Sequence, residues 1–192
     1  MTFRAFLSAD LVAPPTLEGL ARELRATKAP VKLVDLSTLH LTLKFLGDTP
    51  EASVDGLVSG MATAVAGEGP FEARLRGIGA LPDPRRVNVI YVGVQDGGRL
   101  AGIVRKLEEV LSRQGFPTER RPWLPHATIA RVKGGAQADA LRRVIEAHAE
   151  DDFGTQTLTA IRLKKSVLSV GGPTYSDVAV ELLRGGVQPP LA

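Results

Sequence analysis

The chain of 192 residues has no cysteine. Disulfides, thiolate metal sites and a cysteine nucleophile are thereby excluded, and stability has to come from packing. Aromatic residues are scarce, at 5% with a single tryptophan, so an extended base-stacking platform of the kind single-strand binders use is not supported and any nucleic-acid contact has to be local. No apolar run approaches the roughly 18 residues that a membrane span needs. The opening stretch, MTFRAFLSADLVAPP, is interrupted by Asp10 and is not followed by a small-residue cleavage site, so it does not read as a secretory signal. A cytoplasmic location with no membrane partner is expected. A large excess of one charge is also missing: 24 Lys and Arg stand against 21 Asp and Glu, a net charge of +3. That balance is compatible with an anionic partner and falls short of an obligate nucleic-acid binder.

What is present is an ordinary globular composition, 44% hydrophobic and 23% charged, with alternating and helical periodicities in turn. Residues 3–9 read as a strand. Pro14 and Pro15 then open a helix with Leu17, Leu20 and Leu24 on one side, which ends before Pro30. Residues 39–46 alternate, helical spacing follows Pro50, and residues 71–81 return to alternation before a proline-rich turn. The second half predicts a strand at 87–94, a helix over 99–116 closed at Gly115, a strand at 126–132 and a helix over 139–150. Residues 157–170 and 174–183 read as two strands joined by a turn at Gly171, Gly172 and Pro173. The order predicts an α+β fold with antiparallel sheets. No low-complexity linker separates the halves, so residues 1–192 are expected to form one domain of two lobes, each contributing one copy of the motif described next.

That motif is His-x-Thr-x, spelled His40-Leu41-Thr42-Leu43 and again His126-Ala127-Thr128-Ile129. Strand alternation points Leu39, Leu41, Leu43 and Phe45 one way and His40, Thr42 and Lys44 the other. By the same rule His126, Thr128 and Ala130 share a face. Each histidine is about 7 Å along its strand from the paired hydroxyl. Either motif alone reads most simply as polar residues on a solvated strand face or as a hydrogen-bonded core histidine. Two of only three histidines in one repeated pattern point instead to imidazoles meeting across a cleft. A pair of imidazoles suits in-line substitution at phosphorus: one deprotonates the nucleophile, the other protonates the departing oxygen, and the ordinary histidine pKa allows both states near neutrality. Threonine hydroxyls can donate to the non-bridging oxygens. Metal ligation is the competing use, but neither motif has a nearby carboxylate set or a cysteine, and the spacing is not that of ligands; no metal is expected.

The stretches FRAFLSADL, LHLTLKFLGD, GIGALPDPRRVNVIYVGV, GFPTERRPWLPHATIARV and LKKSVLSVGGPTY make the chain resemble the 2H phosphoesterases, most closely the bacterial and archaeal RNA 2′,3′-cyclic phosphodiesterases, also called 2′-5′ RNA ligases. The resemblance implies a bilobal α+β fold with pseudo-twofold symmetry, two antiparallel sheets flanking a central cleft and helices outside. It implies His40 as proton donor and His126 as proton acceptor, Thr42 and Thr128 on the phosphoryl oxygens, and Arg131 helping to hold the phosphate. Strict alternation would point Arg131 away from His126, which a bend near Gly134 would reconcile. The implied reaction opens RNA 2′,3′-cyclic phosphate ends to 2′-phosphomonoesters without a cofactor, with 2′-5′ joining as its companion, and a monomer is expected. The alternatives are an RNA-end-binding module without turnover, or a phosphodiesterase of small cyclic nucleotides or 2′-5′ oligonucleotides.

Some positions depart from the pattern or lie outside it. Leu33 or Val34 stands where an aromatic is often found, leaving Trp123 as a substitute stacking surface or a core residue, and Ala127 is small. His148 reads as a surface histidine in a helix. The pairs Arg85-Arg86, Arg120-Arg121 and Lys164-Lys165 can form a cationic rim for an RNA backbone. The Gly171-Gly172-Pro173 segment lacks the Lys-Ser/Thr of a phosphate loop.

Overall fold

The computed structural model describes residues 1–134, 138–169 and 172–186. Its strands are β1 (Thr2–Asp10), β2 (Val31–Leu33), β3 (His40–Pro50), β4 (Phe71–Asp83), β5 (Arg86–Gln95), β6 (His126–Val132), β7 (Asp152–Leu158), β8 (Ala160–Ser169) and β9 (Gly172–Leu182). Its helices are α1 (Pro15–Ala26), α2 (Val54–Ala64), α3 (Arg99–Ser112) and α4 (Ala138–Ala147). All strand pairings are antiparallel, in the order β7-β4-β5-β6-β3-β1-β8-β9, with β2 added on β6. The order reads as two matching halves, β6-β5-β4-β7 and β3-β1-β8-β9, joined edge to edge by one ladder pair, Leu41 with Ala127. The two antiparallel sheets of the α+β expectation are thus one curled, hydrogen-bonded array with a pseudo-twofold axis near that pair.

The helices form where apolar residues recur at three- and four-residue spacing. In α1 these are Leu17, Leu20 and Leu24; in α3 they are Leu100, Ile103, Val104, Leu107 and Leu111. Proline at the first helical position suits α1, because that N–H has no partner inside the helix in any case. Helices α2 and α3 pack together over the half containing β3, and α1 and α4 over the half containing β4 and β5. A side chain at Gly60 would bring a Cβ to 2.8 Å from Leu111 Cδ2, so a larger residue there would have to displace the Leu111 side chain. Among the described residues no helix is long and apolar enough to cross a membrane.

Several expectations need correction. Residues 157–170 are not one strand: the chain breaks at Thr159, and β7 and β8 lie at opposite flanks, β7 on β4 and β8 on β1. Leu158 and Ala160 are both buried and keep the alternation in phase across the break, so the pattern carries no mark of it. Strand β2 is only three residues long, too short for alternation to mark it. Helix α4 stops at Ala147, before His148. Of the expected Gly171-Gly172-Pro173 turn, Gly171 lies outside the described residues, while Gly172 opens β9.

The most consequential departure is a pair of β-bulges. Along β1 the partners step from Leu7↔Lys44 to Ser8↔Thr42, leaving Leu43 unmatched; along β5 they step from Ile90↔Ala130 to Tyr91↔Thr128, leaving Ile129 unmatched. An extra residue reverses the facing of everything beyond it. Leu43 and Lys44 therefore both face the helices, as do Ile129 and Ala130, while Phe45 and Arg131 turn to the other side. The expected placement of Lys44 beside His40 and of Phe45 opposite is reversed. The bend that reorients Arg131 lies at Ile129, well before Gly134.

Lys44 is only 5% exposed. Its Nζ donates to Glu108 Oε2 of α3 at 2.7 Å and to the Pro117 carbonyl at 2.8 Å, and the same Glu108 oxygen accepts the Glu119 N–H at 3.3 Å. The pair fastens the segment that leads into β6. Lys44→Ala leaves the largely buried Glu108 carboxylate unpaired, with an expected loss of about 3 kcal/mol. Denaturant titration checks this, and a change under about 0.5 kcal/mol, the range of an ordinary surface substitution, would contradict it.

His148 is an ionic clamp. Its Nε2 is 3.0 Å from Glu23 Oε2 of α1 and its Nδ1 is 2.6 Å from Asp151 Oδ2. The hydrogen bond to Glu23, and then that to Asp151, raise its pKa above the ordinary 6.5. A histidine pKa raised on folding stabilises fully below the unfolded value, and that contribution disappears as pH rises through the folded value. The stability difference between wild type and His148→Gln is therefore expected to be largest below about pH 6.5 and to shrink on the alkaline side. Denaturant midpoints across pH 5 to 9 test it; a difference that grows with pH would refute the clamp.

Candidate active site

The bridge between β3 and β6 sets the site. Leu41 and Ala127 face each other with both side chains buried among the core residues. Continuing that antiparallel register by one residue in each direction puts His40 beside Thr128 and Thr42 beside His126, all four on the opposite face. Directly opposed side chains have Cβ atoms about 5 Å apart and diagonal neighbours about 7–8 Å, so the two histidines and two threonines are near neighbours on that face.

Both imidazoles are anchored in the same way. His40 Nδ1 lies 2.8 Å from the Thr38 carbonyl, and His126 Nδ1 lies 2.8 Å from the Leu124 carbonyl. A carbonyl only accepts, so each Nδ1 carries the proton and donates, which leaves each Nε2 available as an acceptor. Local sequence supplies the anchors. Asp35 accepts from the Ser37 N–H and caps the short 3₁₀ turn Leu36–Thr38, which aims the Thr38 carbonyl at His40. Before the second motif, the Pro125 carbonyl accepts from the Val94 N–H at 3.0 Å and fixes the entry to β6.

The surroundings differ. The His40 ring meets Phe6 and Tyr175, with centroids at 5.1 and 5.2 Å, and those two rings also touch each other at 5.2 Å. Burial pushes its pKa below the ordinary value; the Thr38 carbonyl and Asp10 oppose this, and Lys164 adds to it. Asp10, the ladder partner of His40, sits in a four-charge cluster: Arg162 Nε and Lys164 Nζ reach it at 3.0 and 2.9 Å, and both side chains also bind Asp177. His126 meets one aromatic ring, Tyr91, at 5.1 Å. Tyr91 lies over Gly79, where a Cβ would fall 2.4 Å from the phenol ring, so that glycine makes room for the ring against His126. Ser8, the ladder partner of Thr42, is fully buried, and its hydroxyl has no hydrogen-bond partner in the structure.

Arg131 is exposed on the same face as His126 and Thr128. Its counterpart, Phe45, is 67% exposed on the His40 face. Sequence reasoning missed Phe45; the available signal was that both motifs continue with the same spacing to a large residue five positions after the histidine. Trp123 packs against the core and its Nε1 donates to the Thr42 carbonyl at 3.0 Å, tying the approach to the second motif to the first rather than offering a stacking surface. Leu33 also packs on the core. Of the expected cationic rim, Lys164 is committed to carboxylates, whereas Arg85, Arg86, Arg120 and Arg121 are exposed. Among the described residues no three His, Asp or Glu side chains are placed to hold a metal ion.

Comparison with known proteins places the chain in a family. The model of the 2′-5′ RNA ligase superfamily matches residues 13–165. A protein of Methanothermobacter thermautotrophicus named RNA 2′,3′-cyclic phosphodiesterase is 34% identical over 187 residues, covering 94% of this chain and 98% of its own. One of the same name from Aeropyrum pernix is 34% identical over 84% of this chain and 92% of its own. The crystal structure of TT0787 of Thermus thermophilus superposes with a TM-score of 0.73 at 27% identity, covering 95% of this chain and 98% of its own. Both His-x-Thr motifs fall within the matched span, and the chain belongs to the 2′-5′ RNA ligase superfamily.

Proposed function

We propose that this protein hydrolyses the 2′,3′-cyclic phosphate ends of RNA to 2′-phosphomonoesters, acting as a cytoplasmic monomer whose single domain, residues 1–192, has two lobes with the reacting phosphate between them. The observation that carries the proposal is the pair of imidazoles with Nδ1 pinned to a carbonyl and Nε2 free, each beside a threonine hydroxyl. The names of the Methanothermobacter and Aeropyrum relatives support the substrate.

In this reading His126 Nε2 takes a proton from water as the water oxygen bonds to phosphorus. The bond from phosphorus to the ribose 3′ oxygen breaks, and His40 Nε2–H protonates that oxygen. Water is consumed, the ring opens, and proton exchange with solvent resets the two imidazoles. Thr42 and Thr128 donate to the non-bridging oxygens, and Arg131 offsets their charge. Phe45, on the His40 side, offers a face for the terminal base. A 5′-hydroxyl in place of water gives 2′-5′ joining by the same displacement. The residues serve this chemistry without a cofactor.

Burial disfavours the protonated form of His40 in the free protein, yet the donor role needs it. The negative charge of a bound phosphodiester beside the ring supplies the compensation. The profile of kcat against pH is accordingly expected to have its alkaline limb at higher pH than that of kcat/KM, because the former reports the complex and the latter the free enzyme. Coincident limbs would remove this account of how His40 acquires its proton.

Incubation of a short RNA ending in a 2′,3′-cyclic phosphate, followed by end mapping, tests the function itself. Wild type is expected to yield a 2′-phosphate, and His40→Ala and His126→Ala each to lose roughly 10²- to 10⁴-fold in kcat while still binding the RNA end. Binding without turnover by wild type would identify an end-binding module instead, and a 3′-phosphate product would reverse the seating of the sugar.

A further inference from the structure

The middle residue of the three-residue strand β2 has a position that the chemistry above does not use. Val31 and Leu33 pack against the core, so Lys32 between them points to the opposite face. The β2–β6 ladder sets Lys32 directly across from Arg131. Opposed residues of an antiparallel pair share a face, and the bulge at Ile129 has turned Arg131 to the side of His126 and Thr128. Lys32 and Arg131 are therefore side by side on the motif face. With one residue absorbed by the bulge, this pair lies about 13 Å along β6 from His126.

Two further observations bear on Lys32. Gly172, which opens β9 in the other half of the sheet, lies close to it: a Cβ built there would stand 3.7 Å from Lys32 Nζ. The ammonium thus sits where the two halves approach each other beyond the histidines. Among the described residues, neither Lys32 nor Arg131 has a carboxylate within 4 Å, whereas Lys44, Arg74, Arg99, Arg162 and Lys164 are all so paired. Two adjacent cations left without a counter-charge, on the face that carries the reacting groups, form a place for an anion in line with the phosphate site.

We propose that Lys32 binds the backbone phosphate on the 5′ side of the terminal nucleoside, so that the site grips the RNA strand as well as its cyclic end. This rests on the assignment of RNA ends as the substrate. The phosphodiester is held through its charge and not through its base, so the contact is sequence-independent, and Arg131 beside it is shared between the terminal and the preceding phosphate. A cyclic mononucleotide with a bare 5′-hydroxyl lacks this second anion and forgoes the contact.

The test compares wild type, Lys32→Ala and Lys32→Arg on three substrates: adenosine 2′,3′-cyclic phosphate with a free 5′-hydroxyl, the same nucleotide with a 5′-phosphate, and ApA ending in the cyclic phosphate. Affinities for adenosine 2′-phosphate and for ApA ending in a 2′-phosphate are measured in parallel. Lys32→Ala is expected to reduce the preference for ApA over the bare nucleoside by roughly 10-fold, mainly through KM and Kd. It is also expected to lower the salt dependence of binding by about one unit of slope. Lys32→Arg is expected to retain most of the preference, and UpA to lose as much as ApA does in Lys32→Ala. A Lys32-dependent gain from the 5′-phosphate alone supports the assignment to the first phosphate. Equal loss on all three substrates, or an unchanged preference, overturns it. The affinities do not require turnover, so a protein that bound these ligands without hydrolysing them would refute the proposed reaction while still deciding the role of Lys32.

Discussion

The ladder pair between Leu41 and Ala127 is the contact on which the rest of the site depends. It joins two four-stranded halves that otherwise share few hydrogen bonds, and it lies between the histidine and the threonine of both motifs. Because side chains alternate along a strand, burying Leu41 and Ala127 toward the helices presents His40, Thr42, His126 and Thr128 together on the other side. A shift of one residue at this point would turn the polar groups into the core and the apolar ones out. The hydrophobic cost of that alternative, with Leu41 and Ala127 fully exposed and two imidazoles buried without partners, holds the register in place. The grouping of the four motif side chains and the packing needed for stability are thus met by one pairing.

Much of the architecture was legible in the sequence because the relevant signals are local. Alternation identified the motif strands, helical spacing identified α1 through α4, and the repeat of His-x-Thr-x identified the polar patch. What alternation cannot show is a bulge, since the extra residue changes facing without changing composition. Lys44 and Phe45 were therefore assigned to the wrong faces, and Arg131 was reconciled by a bend placed too far along the chain. The break at Thr159 was hidden for a related reason: Leu158 and Ala160 stay in phase although the chain passes from one flank of the sheet to the other. Resemblance to a known family supplied the roles of the two histidines, which spacing alone left undetermined.

Charge placement was the least legible layer. Lys44, Lys164 and His148 are unremarkable in sequence, and their partners lie far away along the chain, at Glu108, at Asp10 and at Glu23. Lys44 and His148 join elements that the sheet alone does not hold, the approach to β6 and the contact between α1 and the start of β7, while Lys164 reinforces the β1–β8–β9 ladders beside His40. A buried or half-buried ion pair contributes modestly to net stability but makes wrong arrangements costly, because a displaced partner leaves an unpaired charge behind. Arg131 and Lys32, side by side on the motif face with no carboxylate within 4 Å among the described residues, stand out against this background.

The anchoring of the imidazoles has a further consequence for how the site comes into being. Each Nδ1 bonds to a carbonyl only two residues earlier in the chain, so closing that contact costs almost no loop entropy. The tautomer of each ring is thus set within its own segment and does not depend on contacts between the two halves.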